Sequence, residues 1–214
     1  MNRGPGESRM HFAVVPACGH STRMGRPKLA LPLGERTVIE HVVTTLREGG
    51  VDRVLVVVGP HIPELIPLAA AAGAEVLALA EPTADMRATV EHGLRQIEES
   101  HHPQAEDCWL LAPGDHPGFS PATVRRLLGS AAFVRSDSIL VPVWQGRRGH
   151  PTLFRWKHTV GIRALPPGEG INCYLRLHAD ETCTMLVTDP GICANLDTPE
   201  DYERLLGEAS GPQA

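Results

Sequence analysis

Phe12-Ala13-Val14-Val15-Pro16-Ala17-Cys18-Gly19-His20-Ser21-Thr22-Arg23-Met24-Gly25-Arg26-Pro27-Lys28 decides the fold: an apolar run of strand length breaks into a glycine-punctuated loop carrying three cations, Arg23 and Lys28 among them. A short run of this kind, bounded by turn residues, reads as a strand buried on both faces. In open α/β sheets the loop leaving the carboxyl end of such a strand is where ligands bind. Gly19 and Gly25 let backbone amides approach a bulky anion, because glycine reaches φ > 0 without steric cost, and Arg23 and Lys28 supply fixed positive charge. The loop lacks the Gly-Lys-Ser/Thr end of a Walker loop and the Gly-x-Gly-x-x-Gly dinucleotide spacing. Taken alone, it also reads as a solvated turn.

Outward from this loop, runs rich in Val, Leu and Ile alternate with amphipathic segments, the pattern of parallel strands covered by crossover helices. Strands are expected at 11–15, 53–58, 74–79, 107–112, 138–143 and 182–187, with a short one at 151–154. Helices are expected at 37–47, 62–72, 85–99, 121–128, 171–178 and 199–205. The expected fold is therefore α/β, a three-layer α/β/α sandwich with a mostly parallel, Rossmann-like sheet. Ser120-Pro121 and Thr198-Pro199 each place a capping hydroxyl before a proline at the first helical position, where the missing N–H would have had no partner.

With 214 residues, 42% of them hydrophobic, the chain fits one domain. That domain is expected over 11–207, between a flexible N-terminal tail at 1–10 and a C-terminal tail at 208–214. The formal net charge of −5 argues against nucleic acid as a partner, whose binding needs clustered Lys and Arg, so any phosphate site is local. No apolar run approaches the roughly 20 residues that cross a bilayer, so no membrane partner is expected. The five cysteines contain no Cys-x-x-Cys pair, and their odd count without a secretory leader fits a reducing, cytoplasmic setting with thiols as small apolar filler.

Two acidic positions stand out. Asp115 follows the run Trp109-Leu110-Leu111-Ala112, just past the carboxyl end of a strand, and Asp197 immediately precedes the cap of the last helix. Both are hard oxygen donors, and Mg²⁺ is held by one or two carboxylates together with substrate phosphates. Singly, each has an ordinary alternative: Asp115 as a turn residue bonding its own backbone, Asp197 as support for the helix cap.

Together these residues resemble the MobA-like nucleotidyltransferases, and among them the molybdenum cofactor cytidylyltransferase branch. The family's signature Leu-Ala-Ala-Gly-x-Ser-x-Arg-Met-Gly-x-x-Lys is similar to residues 16–28, followed by Leu29-Ala30-Leu31-Pro32. The segment Ala84-Asp85-Met86-Arg87-Ala88-Thr89-Val90-Glu91-His92-Gly93 is similar to the family's Gly-Met-x-x-Ser-x-x-x-Gly. Asp115-His116-Pro117, Gly149-His150-Pro151 and Asp197-Thr198-Pro199-Glu200-Asp201 follow in the family's order. The resemblance implies a nucleotide-diphospho-sugar-transferase-like sheet. It implies a nucleoside triphosphate bound by Ala17, Cys18, Gly19, Ser21, Arg23, Gly25, Lys28 and Thr89. It further implies Mg²⁺ held by Asp115 and Asp197, and transfer of a nucleotidyl group with loss of pyrophosphate, catalysed through Arg23, Lys28 and Asp115. CTP is the favoured nucleotide and a molybdopterin-type acceptor the favoured partner, with a molybdenum hydroxylase apo-enzyme as a possible recipient of the product.

This chain departs from the signature at Pro16 and Cys18, where Leu and Ala are usual, and at Thr89, where Ser is usual; these departures leave the base open. Asn195 is an alternative to Asp197 as oxygen donor. His116, Arg148 and His150 are candidates for the acceptor side, with turn or surface roles as their alternatives. Trp144 and Trp156 belong to the core or to an acceptor pocket. Asp85 and Thr89 serve either an anion at a helix N-terminus or the cap itself. Rival functions are a GTP-using guanylyltransferase and a non-catalytic accessory protein that delivers cofactor; the missing Gly-x-Gly-x-x-Gly weakens a nicotinamide-dependent oxidoreductase.

Overall fold

A computed structural model describes residues 9–20, 24–130 and 138–210, the side chains of 208–210 excepted. The opening run forms β1 (His11–Ala17). Successive side chains on a strand point to opposite faces. Ala13, Val15 and Ala17 accordingly enter one apolar core and Phe12 and Val14 the other, all fully or almost fully buried. The chain then makes a 3₁₀ turn at Lys28–Ala30 and a small hairpin, β2 (Pro32–Leu33) with β3 (Arg36–Thr37). Helix α1 (Val38–Glu48) opens on a capping box between Thr37 and Glu40.

There follow β4 (Arg53–Val58), α2 (Leu65–Ala71), β5 (Glu75–Ala78), α3 (Met86–His101), β6 (Cys108–Leu111) and α4 (Pro121–Leu128). The chain ends with β7 (Ile139–Trp144), β8 (Arg147–Arg148), β9 (Thr152–Arg155), α5 (His158–Arg163), α6 (Ile171–Leu177), β10 (Thr182–Leu186) and α7 (Pro199–Ser210). The main sheet runs β10-β7-β9-β6-β1-β4-β5, with β8 paired to β7. Val14 lies level with Leu55 on one side and Leu111 on the other, both in parallel register. Among these strands β9 runs antiparallel to both its neighbours, and β8 antiparallel to β7. The reversal after β7 is made by Gln145 and Gly146, both with positive φ (48° and 79°), which suits a two-residue hairpin turn.

Helices α1, α2, α4 and α7 pack on one face of the sheet and α3, α5 and α6 on the other, which gives the three layers expected from the sequence. Differences arise where elements are short. The 32–37 hairpin, β8 and α5 are each too brief to show a hydrophobic period, and α7 continues to Ser210 rather than stopping at 205. Residues 1–8 and 211–214, most of the two expected tails, lie outside the described residues. Trp156 is core, edge-on to Phe12, and Trp144 packs half-buried against the α1 side of the sheet. Among the described residues no helix is long and apolar enough to cross a membrane.

Candidate active site

Three chain segments meet where β1 and β6 end. Leu29, Leu31 and Leu33 are buried in the core beneath α1, and this alternation fixes the backbone from which Lys28 rises. The turn after β6 is tied to the end of β1 by the Gly114 amide donating to the Pro16 carbonyl at 3.3 Å. The segment before α7 joins it through the Leu196 amide, which donates to the Asp115 carbonyl at 2.8 Å. Upstream of that segment, Asp189 Oδ2 accepts from the Ser120 amide and hydroxyl and from the Thr123 hydroxyl, so the start of α4 holds the chain entering the 3₁₀ turn Pro190–Cys193. At the first residues of α7, Thr198 and Asp201 cap one another reciprocally.

On this frame Lys28 Nζ donates to Asp115 Oδ2 at 2.8 Å and to Asp197 Oδ1 at 2.9 Å. The second oxygen of each carboxylate has its own partner: His116 Nδ1 lies 2.9 Å from Asp115 Oδ1, and Asn195 Nδ2 donates to Asp197 Oδ2 at 3.0 Å. Burial by itself would raise the Asp115 carboxyl, but His116 and then Lys28 outweigh it and hold the group well below the usual carboxylate range. Burial pulls the Lys28 ammonium down, and the two carboxylates more than restore it, so its value is raised and the group is charged. Asn195, an alternative oxygen donor on sequence grounds, instead uses its amide nitrogen to orient Asp197.

A cavity of about 410 Å³ opens beside these groups. Of the residues the sequence singles out, it is lined by Ala17, Cys18, Gly19, Lys28, Thr89, Asp115 and Asp197. Ser21 and Arg23 lie outside the described residues. Gly25 has the positive φ (64°) expected of it but is not on the cavity wall. Thr89 is buried, and its hydroxyl is engaged with that of Thr83 at 2.6 Å. Thr83, Met86 and His20 also line the cavity without having been singled out; the loop before α3 carries no glycine or charge pattern that would mark the first two. Asp85 caps α3, accepting from the Ala88 amide at 2.8 Å, and reaches the cavity as well.

The acceptor-side candidates are divided. His116 touches Asp115, and His150 packs edge-on against His116 with ring centroids 4.8 Å apart. Burial, with His116 beside it, pushes the His150 imidazole down to about 4, and its buried Nδ1 has no hydrogen-bond partner among the described residues. Arg148 is exposed on β8 and is not on the cavity wall. The Cys18 thiol is pushed up by burial and donates to the Val57 carbonyl, so it is no ready nucleophile.

Residues 13–182 match the family described as the MobA-like NTP transferase domain. The chain belongs to this family. As a MobA-like nucleotidyltransferase it carries the α/β nucleotide-diphospho-sugar transferase fold, and Lys28 and Asp115 lie within the matched span while Asp197 follows it. Over 145 residues this MobA-like chain is 31% identical to the molybdenum cofactor guanylyltransferase of Sinorhizobium fredii, a match covering 67% of this chain and 62% of that protein. Over 203 residues it is 28% identical to the nicotine blue oxidoreductase of Paenarthrobacter nicotinovorans, covering 90% and 95% of the two chains. The solved manganese complex of Rv0371c from Mycobacterium tuberculosis H37Rv is 25% identical with a TM-score of 0.72, covering 94% of this chain and 100% of that one.

A second cluster of potential ligands, His158, His178 and Glu181, sits at the opposite edge of the sheet, where β7 and β10 begin. Its groups are already engaged with one another and their neighbours. The two His158 nitrogens contact the hydroxyls of Tyr174 (2.9 Å) and Ser138 (2.7 Å), and Lys157 Nζ donates to Glu181 Oε2 at 2.6 Å. Hydrogen bonds from Lys157 and Ser138 pull Glu181 down to about 2. This corner is a satisfied polar network within the fold.

Proposed function

We propose that this MobA-like nucleotidyltransferase moves a nucleotidyl group, CMP from CTP in the favoured case, onto a phosphorylated acceptor of the molybdopterin type and releases pyrophosphate. The observation that carries the reading is Lys28 bridging Asp115 and Asp197 on the wall of a cavity lined by the first loop.

The donor set suits a divalent cation: two hard carboxylate oxygens face a common point and each carboxylate is fixed through its other oxygen. Asp115 and Asp197 would hold that cation, Mg²⁺ being the favoured ion, and when bound it would neutralise charge on the phosphates of the nucleotide. Everything else falls to the protein's own groups. The acceptor's phosphate oxygen attacks the α-phosphorus in line, the bond to the pyrophosphate oxygen breaks, and pyrophosphate leaves with its electron pair. Such a transfer needs positioning and charge neutralisation and no protein nucleophile, in keeping with the raised Cys18 thiol. Backbone amides around Gly19 cradle the phosphates, Lys28 and Arg23 offset their charge, and His116 keeps the Asp115 carboxylate in one orientation. His150, held neutral, backs His116. Arg148, exposed on β8 outside the cavity wall, is the candidate cation for an anionic acceptor.

Two relatives favour alternatives to this reading. The guanylyltransferase speaks for GTP in place of CTP, and the nicotine blue oxidoreductase, similar over nearly the whole chain, speaks for a reductase built on the same scaffold. One screen separates them: each of the four ribonucleoside triphosphates with Mg²⁺ and molybdopterin, read for pyrophosphate. Pyrophosphate with CTP is the expected result, and a preference for GTP moves the protein to the guanylyl branch. No pyrophosphate with any triphosphate rejects the reading; tight cofactor binding would then indicate a delivery protein, and oxidation of a reduced nicotinamide a reductase.

A further inference from the structure

Asp115 and Asp197 are divided in the same way. Each gives one oxygen to a side chain from its own loop, His116 for Asp115 and Asn195 for Asp197, and turns the other toward Lys28. The two inward oxygens lie 2.8 and 2.9 Å from a single nitrogen. The Lys28 side chain is only 12% exposed, and its backbone is locked by the buried leucines that follow it. Two ionised carboxylates brought this close in half-buried surroundings repel unless a cation stands between them. Lys28 is that cation, and a divalent ion bound by both oxygens needs the volume that Nζ fills.

Resting on the nucleotidyl-transfer reading, we propose that Lys28 is an interlock. Its ammonium and the divalent cation compete for Asp115 Oδ2 and Asp197 Oδ1, and the cation gains them when a triphosphate draws Lys28 onto its own oxygens. The lysine thus has two successive partners, the carboxylate pair and then the nucleotide, reached from one backbone position at the cavity wall. Cation and triphosphate must then bind cooperatively, and linkage requires that each strengthen the other by the same factor. His116 and Asn195 act here as positioning residues. By holding the outer oxygens they keep the inner pair aimed at one point, whichever cation is there.

The test is a titration of the full chain with Mn²⁺ alone, free Mn²⁺ being counted by electron paramagnetic resonance. Lys28→Met is expected to bind one Mn²⁺ at least about tenfold more tightly than wild type, within the range of ordinary coupling between sites. Adding Asp197→Asn to Lys28→Met is expected to abolish that gain. Lys28→Gln serves as the second variant should the methionine form fail to fold, which thermal unfolding reveals. No gain on removing the lysine, whether through equal affinity or through no binding at all, overturns the interlock. Pyrophosphate release by wild type is scored separately, so an active enzyme without the Mn²⁺ gain loses the interlock and keeps its function. A wild type that releases no pyrophosphate, together with lysine variants that show no Mn²⁺ gain, loses both.

Discussion

At the scale of single residues, the site is a charge balance: two carboxylates, one ammonium and two orienting partners share a corner that burial makes unfavourable for any unpaired charge. Lys28→Met and Asp115→Asn are each expected to lower pyrophosphate formation by about 100- to 1,000-fold, the usual loss when one preorganised electrostatic group is removed. Steady-state rates on folded protein check this, and near-normal turnover in either variant contradicts the assignment. Asn195→Ala is expected to be milder, about 10- to 100-fold, because it frees the Asp197 carboxylate without removing it. Lys28, Asp115 and Asp197 stood out in the sequence as a cation after a strand and acids at turns, each with an ordinary alternative, and only the family resemblance grouped them. Their contact was not, since it joins positions 87 and 169 residues apart. Nor were the partners of the outer oxygens. Histidine and asparagine in turns have many uses, and only geometry shows that His116 and Asn195 spend theirs on carboxylates.

At the scale of elements, what places Asp197 is a loop pressed against a loop. A Cβ built on Gly191, in the 3₁₀ turn Pro190–Cys193, would stand 1.8 Å from the Gly118 carbonyl oxygen. Backbone cannot yield that distance cheaply, so Gly191→Ala must push the turn away from the loop before α4. It is expected to destabilise the protein by more than about 2 kcal/mol, among the larger effects of single substitutions. Urea unfolding measures this, and a change under about 0.5 kcal/mol would show that the turn is not a fixed strut. Because Asn195 and Asp197 follow the turn, cation binding should weaken in parallel. The long elements were readable from periodicity: β4 and α4 stand where expected, and β1, α1 and α3 lie within two residues of their expected ends. The hairpin at 32–37, β8 and α5 were not, because two residues of strand or six of helix are too few to display the element's period. The antiparallel course of β9 depends on the Gln145-Gly146 reversal, where a positive φ at glutamine gives no sequence signal.

At the scale of the whole molecule, the sheet separates two polar corners, the candidate active site at its carboxyl edge and the His158 network at the other. Burial pushes the His158 imidazole down to about 4. A base with a lowered value in the folded state is protonated first in the unfolded chain, so the stability it contributes is complete above about pH 6.5 and drains away as pH falls toward 4. Buried His150 acts in the same direction. Stability should therefore fall by about 1–3 kcal/mol for His158 between pH 6.5 and 4, and His158→Gln should flatten part of that slope in urea titrations. An unchanged slope would show that the imidazole is protonated within the fold. The three-layer architecture itself was legible because alternating cores on both sides of β1 and β4 demand helices on both faces.

On the proposed function, the Asp115–Lys28–Asp197 corner carries nucleotidyl transfer. The measurement that tests it most directly is pyrophosphate released from CTP or GTP, with a divalent cation and molybdopterin, by wild type beside an Asp115→Asn, Asp197→Asn double variant of matched thermal stability. Release by wild type with at least about a 1,000-fold loss in the double variant is the predicted result. Equal release by both proteins, or none by wild type with any triphosphate, would contradict it.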